Sequence, residues 1–134
     1  MIVDHQQNFC QSRQLFKYIL ADKSSGVFNG KVVVRKNTKQ TDADQSNRNL
    51  LLSPSALMNA NPQLEILSDD VKCSHGSSTG ELYDDALFYL QTRGIDSETA
   101  KSLLIYGVAN EIIEKVKPIS VQDYIHKRFT EWLS

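Results

Sequence analysis

Cysteine is scarce in this 134-residue chain, which has only Cys10 and Cys73. Two cysteines do not make a disulfide framework, so a reducing compartment, the cytoplasm, is expected. No C-x-x-C pair occurs, which excludes a zinc ribbon or a thioredoxin-like redox site. An excess of one charge is also lacking: 15 Lys and Arg stand against 16 Asp and Glu, a formal net charge of −1. No basic field therefore points to nucleic acid, and no same-sign run marks an interaction tail. No apolar stretch approaches the roughly 18 residues that cross a bilayer, so no membrane partner is expected. The opening "MIVDHQQNFC" has no basic region followed by an apolar one, so it does not read as a secretory signal. Phosphate-binding glycine loops, serine nucleophile elbows and paired-histidine zinc helices are missing. The carboxylates form no arrangement that singles out an acid–base pair. An enzyme is not expected.

What remains suits a folded domain. Hydrophobic residues make up 40% of the chain, and single domains commonly run about 100–150 residues. The two ends of the sequence have different periods. "GVFNGKVVVRKN" alternates, with Phe28, Val32 and Val34 on one face and Lys31, Val33 and Arg35 on the other, as a strand requires. "NLLLS" is a short apolar run closed by a turn at Ser53-Pro54-Ser55. "QLEILSDDVKCSH" alternates again, pairing Leu64 with Ile66 and aligning Val71, Cys73 and His75. "RQLFKYIL" fits a helix or a strand equally well. No crossover helix separates these segments, and the hairpin dipeptide Asn-Gly occurs only at Asn29-Gly30. A sandwich and a solenoid of stacked coils are both compatible with such strands.

From about residue 78 onward the period becomes helical. Ser78 and Glu81 have capping-box spacing. Leu82, Ala86, Tyr89 and Leu90 follow on one face, and Gly94 reads as a stop. Asp96 or Ser97 opens a second helix, whose stripe includes Ala100, Leu103, Leu104, Val108 and Ile112 before Pro118 ends it. Ser120 and Asp123 open a third, with Val121, Tyr124, Ile125, Phe129 and Trp132 on one side. Apolar stripes of this kind read first as core and second as a face for a partner.

The pair most able to do chemistry is Cys73 and His75. On a strand, residues two apart point the same way, about 6–7 Å apart at the backbone, so sulfur and imidazole could converge on one ion. A thiolate and an imidazole suit zinc or iron. Two ligands do not complete a tetrahedral site. His5, Cys10 and His126 are further donors, but no spacing brings them near. The plainer reading is a buried cysteine acting as a small hydrophobe beside a hydrogen-bonded histidine. A site completed by a second chain would supply the missing ligands. A stand-alone Cys/His metal-binding or sensor domain is the alternative, and it predicts metal on the isolated chain.

The stretches "GVFNGKVVVR", "QSNRNLLLS", "PQLEILSDDVKCSHGSSTGELYDDALFYLQTRGI" and "AKSLLIYGVANEIIE" together resemble the SufB/SufD family of SUF-system iron–sulfur cluster assembly proteins. The resemblance runs over about residues 3–116. It is to the SufD type: SufB-type chains carry a cysteine where Asn47 stands, and an E-H-E-A-type stretch where this chain reads "SHGSS". Ser68 and Ser77 replace the family's more usual alanines.

The resemblance implies the last coils of a right-handed parallel β-helix over residues 1–78 and a bundle of about three helices over 79–134, with "RQLFKYIL" as a strand. It implies a non-enzymatic scaffold that pairs with a SufB-like subunit through the β-helix and docks a SufC-like ATPase through C-terminal helices. Leu103, Leu104, Tyr106 and Val108 are the expected docking residues. His75, and with it Cys73, is expected at the interface with SufB, where iron or a nascent cluster would lie, with no cofactor held stably by this chain alone. Relative to the family pattern the chain looks like a C-terminal piece. The open end of its coils is expected to be covered by a second copy, by local rearrangement or by non-specific association.

Overall fold

The computed structural model describes residues 1–82 and 84–133, and the side chain of Asp84 is outside the description. Six strands precede three helices: β1 (Ile2–His5), β2 (Gln11–Leu20), β3 (Ser25–Val34), β4 (Thr41–Leu51), β5 (Leu57–Ile66), β6 (Val71–Glu81), α1 (Asp84–Thr92), α2 (Ser97–Ile113) and α3 (Ile119–Leu133). The chain divides into two compact units, Met1–Glu81 and Leu82–Ser134.

In the first unit the strands alternate between two sheets, one ordered β1-β3-β5 and the other β2-β4-β6. Every pairing is parallel. No hairpin occurs among the described residues, so a hairpin-built sandwich is excluded. Ser12 stands in register with Ala43, and Ala43 with Cys73. In the other sheet Val3 meets Val32, and Val32 meets Leu64. The chain thus returns to the same sheet position after about thirty residues. Asn29-Gly30, the one hairpin dipeptide, lies inside β3 and turns nothing. "RQLFKYIL" is strand β2.

The core lies between the facing sheets. Val32, Val34 and Ala43 form its centre, with Leu64, Val71 and Cys73 packed against them. Phe16 of β2 meets Phe28 of β3 with ring centroids 4.9 Å apart. Val33, expected on the outer face, is buried as well; its register neighbours are Asp4 and Glu65, which are ion-paired with Arg35 and Lys31. The apolar stems of those long cations are well suited to cover it. Ile66, expected beside Leu64, is 40% exposed at the end of β5. Corners between strands use left-handed backbone at Phe9, Asp22, Asn37 and Gln40. Ala56 N–H donates to Ser53 O, which forms the turn expected at Pro54.

The largest departure from the apolar pattern is β4. It is buried at Thr41, Ala43, Gln45, Asn47 and Asn49, so its inner face is mostly polar. Burying amides is tolerable when they bond one another. Asn47 Nδ2 donates to Asn49 Oδ1 at 2.9 Å, Asn49 Nδ2 donates back to Asn47 Oδ1 at 2.7 Å, and Ser77 Oγ also donates to Asn47 Oδ1.

Ser78, at the end of the first unit, does not cap a helix, because β6 runs on to Glu81 and α1 starts at Asp84. Strand pairing of Ser78 with Arg48 and of Glu81 with Leu51 overrides the local capping pattern. Gly94 ends α1 as expected. Its φ is +88°, its N–H donates to Gln91 O, and the Ile95 N–H reaches Leu90 O, which together make a Schellman cap. Asp96 caps α2 by accepting from the Thr99 N–H at 3.0 Å. Helix α2 stops at Ile113, before Pro118. Pro118 instead opens α3, its carbonyl accepting from the Val121 and Gln122 N–H groups. Tyr89, expected to face inward, is 56% exposed beneath the Arg93 guanidinium.

Candidate functional site

Strand β6 lies at the edge of its sheet, with β4 as its one neighbour among the described residues. Cys73 and His75 share its inner face, in register with the buried Ala43 and Gln45 of β4. Their environments differ. Cys73 is half-buried against the apolar core, and burial pushes its thiol up, with a backbone hydrogen bond at Ala43 opposing the shift and the Asp42 charge adding to it. A thiol held neutral is a weak ligand and a weak nucleophile. His75 is exposed on the same strand. Outward from it, Ser74 Oγ donates to Asp44 Oδ1 at 2.6 Å, tying the outer faces of β6 and β4 together.

The other donors stay apart. His5 is buried and bonded through Nε2 to Ser12 Oγ at 2.9 Å. Cys10 lies just before β2, whose first residue, Gln11, pairs with Asp42. Strands β2 and β6 flank β4, so two strand spacings of about 4.8 Å separate Cys10 from the level of Cys73. His126 belongs to the helical unit, where its Nδ1 and the Tyr106 hydroxyl share a hydrogen bond of 2.7 Å. No group of three or more His, Cys, Asp or Glu side chains able to hold a metal occurs among the described residues. Of these donors on the strands, His75 is exposed, whereas His5 is buried and Cys10 and Cys73 are half-buried.

The four expected docking residues lie on α2. Leu103 is 49% exposed. Leu104 and Val108 are half-buried. Tyr106 is half-buried and packs toward α3, with its ring 5.7 Å from that of His126 and 6.2 Å from that of Phe129. Phe129 in turn stacks on Trp132. Among the described residues no helix is long and apolar enough to cross a membrane.

Sequence inspection missed the residues behind His75. Gln14, Gln45, Asn47 and Asn49 are all buried, and Gln45 Nε2 donates to Gln14 Oε1 at 2.9 Å. A signal for them does exist. In "TDADQSNRN" the odd-numbered residues are all uncharged, whereas the alternate ones include Asp42, Asp44 and Arg48.

With this geometry in view, residues 1–108 match the family model described as SUF system FeS cluster assembly, SufBD core domain. The chain belongs to the SufB/SufD family. It is 40% identical over 131 residues to the iron-sulfur cluster assembly protein SufD of Escherichia coli, covering 98% of this chain and 31% of that protein. It is 47% identical over 124 residues to the chloroplastic protein ABCI7 of Arabidopsis thaliana, covering 92% of this chain and 26% of that one. SufD of Bacillus subtilis is 40% identical over 104 residues, 74% of this chain and 24% of its own length. This SufD-type chain therefore spans a third or less of the relatives it matches. The matched core contains all six strands, α1 and most of α2, so both the β6 pair and the α2 docking candidates fall within it.

Proposed function

We propose that this chain is part of a scaffold subunit in a SufBCD-like complex, where it helps assemble an iron–sulfur cluster without being an enzyme itself. Its two parallel sheets are the final coils of a right-handed parallel β-helix. The β6 side of those coils faces a SufB-like subunit, and α2 presents Leu103, with Leu104, Tyr106 and Val108 behind it, to a SufC-like ATPase. Iron or a nascent cluster is cargo at the SufB-facing interface, and the complex works in the cytoplasm.

One observation carries this reading: an accessible imidazole sits on an edge strand with too few neighbouring donors to close a metal site. An edge strand invites a further strand from another chain, and a partner there would bring the missing ligands. Membership of a cluster-assembly family makes iron or a cluster the natural cargo. Cys73 contributes less, because its thiol is held neutral by burial.

The test replaces His75 with alanine in the full-length protein. Cluster assembly in cells should fall severely while the SufB and SufC subunits still co-purify. Normal assembly would remove His75 from the site. Stoichiometric iron or zinc on the isolated chain would instead favour a stand-alone metal-binding domain.

A further inference from the structure

We propose that Asn29 is a latent deamidation site: strand pairing keeps it silent in the folded chain, and opening of the first unit releases a self-modification that stops β3 from pairing again. Asn29-Gly30 is the only Asn-Gly dipeptide of the chain. In such a pair the Gly30 backbone nitrogen, having lost its proton, attacks Asn29 Cγ. The Cγ–Nδ2 bond breaks and ammonia leaves, which closes a five-membered succinimide. Water then opens the ring at either carbonyl and gives aspartate or isoaspartate. Glycine in the second position favours the attack, because it has no side chain to hinder it and the greatest backbone freedom.

The core dictates that glycine. Asn29 is exposed on the outer side of β3, while Gly30 is buried on the inner side. A β-carbon at Gly30 would come within 2.7 Å of Gln45 Nε2 and 2.9 Å of Gln45 Cδ, and would strike the Phe28 ring as well. The side chain that would shield Asn29 from its neighbour is therefore shut out by packing.

Protection comes from the ladder instead. Alternate residues of a strand with parallel neighbours bond to opposite sides. Lys31 N–H and Arg35 N–H donate to Met1 O and His5 O, so the odd-numbered residues along β3 bond toward β1. Leu57 N–H and Leu67 N–H donate to Ser24 O and Val34 O, so the even-numbered ones, Gly30 among them, bond toward β5. The Gly30 N–H thus lies in the plane of the sheet, whereas the Asn29 side chain stands out from its face. Nitrogen and Cγ meet only when the peptide between them turns out of the extended geometry, and that turn breaks the pairing. Reaction is confined to opened molecules, and its rate follows their population.

The isoaspartate product carries the chain through the former side-chain carbon, which adds one carbon to the main chain ahead of Gly30. Val32 and Val34 lie just beyond, in the core and in register with Leu64 and Ile66 of β5. That register cannot be kept with an extra main-chain atom. The aspartate product adds only an exposed charge.

The test incubates the whole chain in mildly alkaline buffer, with and without urea, and reads the tryptic peptide Ser24–Lys31, in which Asn29 is the only amide side chain. In unfolding urea, Asn29 should convert faster than any other asparagine of the chain. Without urea its conversion should be at least about tenfold slower, and it should rise with the opened fraction below the unfolding midpoint. After dilution of the urea, isoaspartate at this position should be found in the chains that fail to refold, whereas Asn29→Asp should refold. Equal rates with and without urea would overturn the inference, as would an asparagine elsewhere that reacts as fast in urea. Isoaspartate recovered in refolded chains, or failure of Asn29→Asp to refold, would overturn the part played by register.

Discussion

Arg35 holds Asp4 through two hydrogen bonds, Nε to Oδ1 and Nη2 to Oδ2, both 2.9 Å long. The pair ties the end of β3 to β1 on the solvent side. The guanidinium lowers the Asp4 carboxyl from 3.8 to about 2, with a further hydrogen bond from Gln6 helping. A depressed carboxyl stabilises the fold while it is ionised. That contribution should be complete above about pH 4 and vanish as the pH falls through about 2. Urea denaturation across the acid range should therefore show a steeper loss of stability in the wild type than in Asp4→Asn.

Adding one methyl group at Gly30 should be disproportionately costly. It would meet Phe28 Cζ at 2.5 Å in addition to the Gln45 amide. Overpacking of this kind costs about 1–3 kcal/mol. Urea denaturation of Gly30→Ala should show that loss, whereas Gly80→Ala, where a β-carbon meets nothing within 4 Å, should show far less.

Removing the Asn47 amide would take the donor from Asn49 Oδ1 and the acceptor from Ser77 Oγ, while Asn49 Nδ2 keeps Ser78 O and Thr79 Oγ1. An orphaned buried polar group costs about 1–3 kcal/mol, so Asn47→Ala should lower stability by about that much. Equilibrium unfolding measures it directly. A variant as stable as the wild type would show that the reciprocal Asn47–Asn49 pair contributes nothing net.

Two substitutions on α2 separate docking from folding. Leu103 is half-exposed, so Leu103→Glu should change stability by no more than about 0.5 kcal/mol and should weaken binding of the SufC-like ATPase to the full-length protein. Tyr106→Glu should lower the thermal midpoint as well, because it removes the bond to His126 and the packing on Phe129. Calorimetry paired with co-purification distinguishes them; a Leu103→Glu protein that binds normally would take that residue out of the docking face.

Much of this architecture is legible in the sequence where apolar residues mark it. Phe28, Val32 and Val34 place the inner face of β3, and Gly94 and Asp96 punctuate the helices through backbone chemistry that depends on few neighbours. The resemblance to the family settles "RQLFKYIL" as a strand, which local pattern leaves open. Three features resist reading for physical reasons. The capping pattern at Ser78 and Glu81 is real but loses to parallel pairing with β4, a partner some thirty residues away. Pro118 marks a boundary without saying on which side its helix lies. The inner face of β4 is hidden because hydrophobic periodicity does not register buried amides. The candidate site shows the same division. His75 and Cys73 are found by their spacing on a strand, whereas Gln45 emerges only once register and burial are known.

The return distance of the strands also bears on how the chain acquires its structure. Each rung of the first unit touches a neighbour made about thirty residues earlier, so no pair of strands can form until a loop of that length has closed. The helices need only contacts a few residues apart. Closure entropy and contact order both make the sheet unit the slower of the two. The residues that carry His75 are thus organised only when β6 and β4, thirty residues apart in the chain, have found each other.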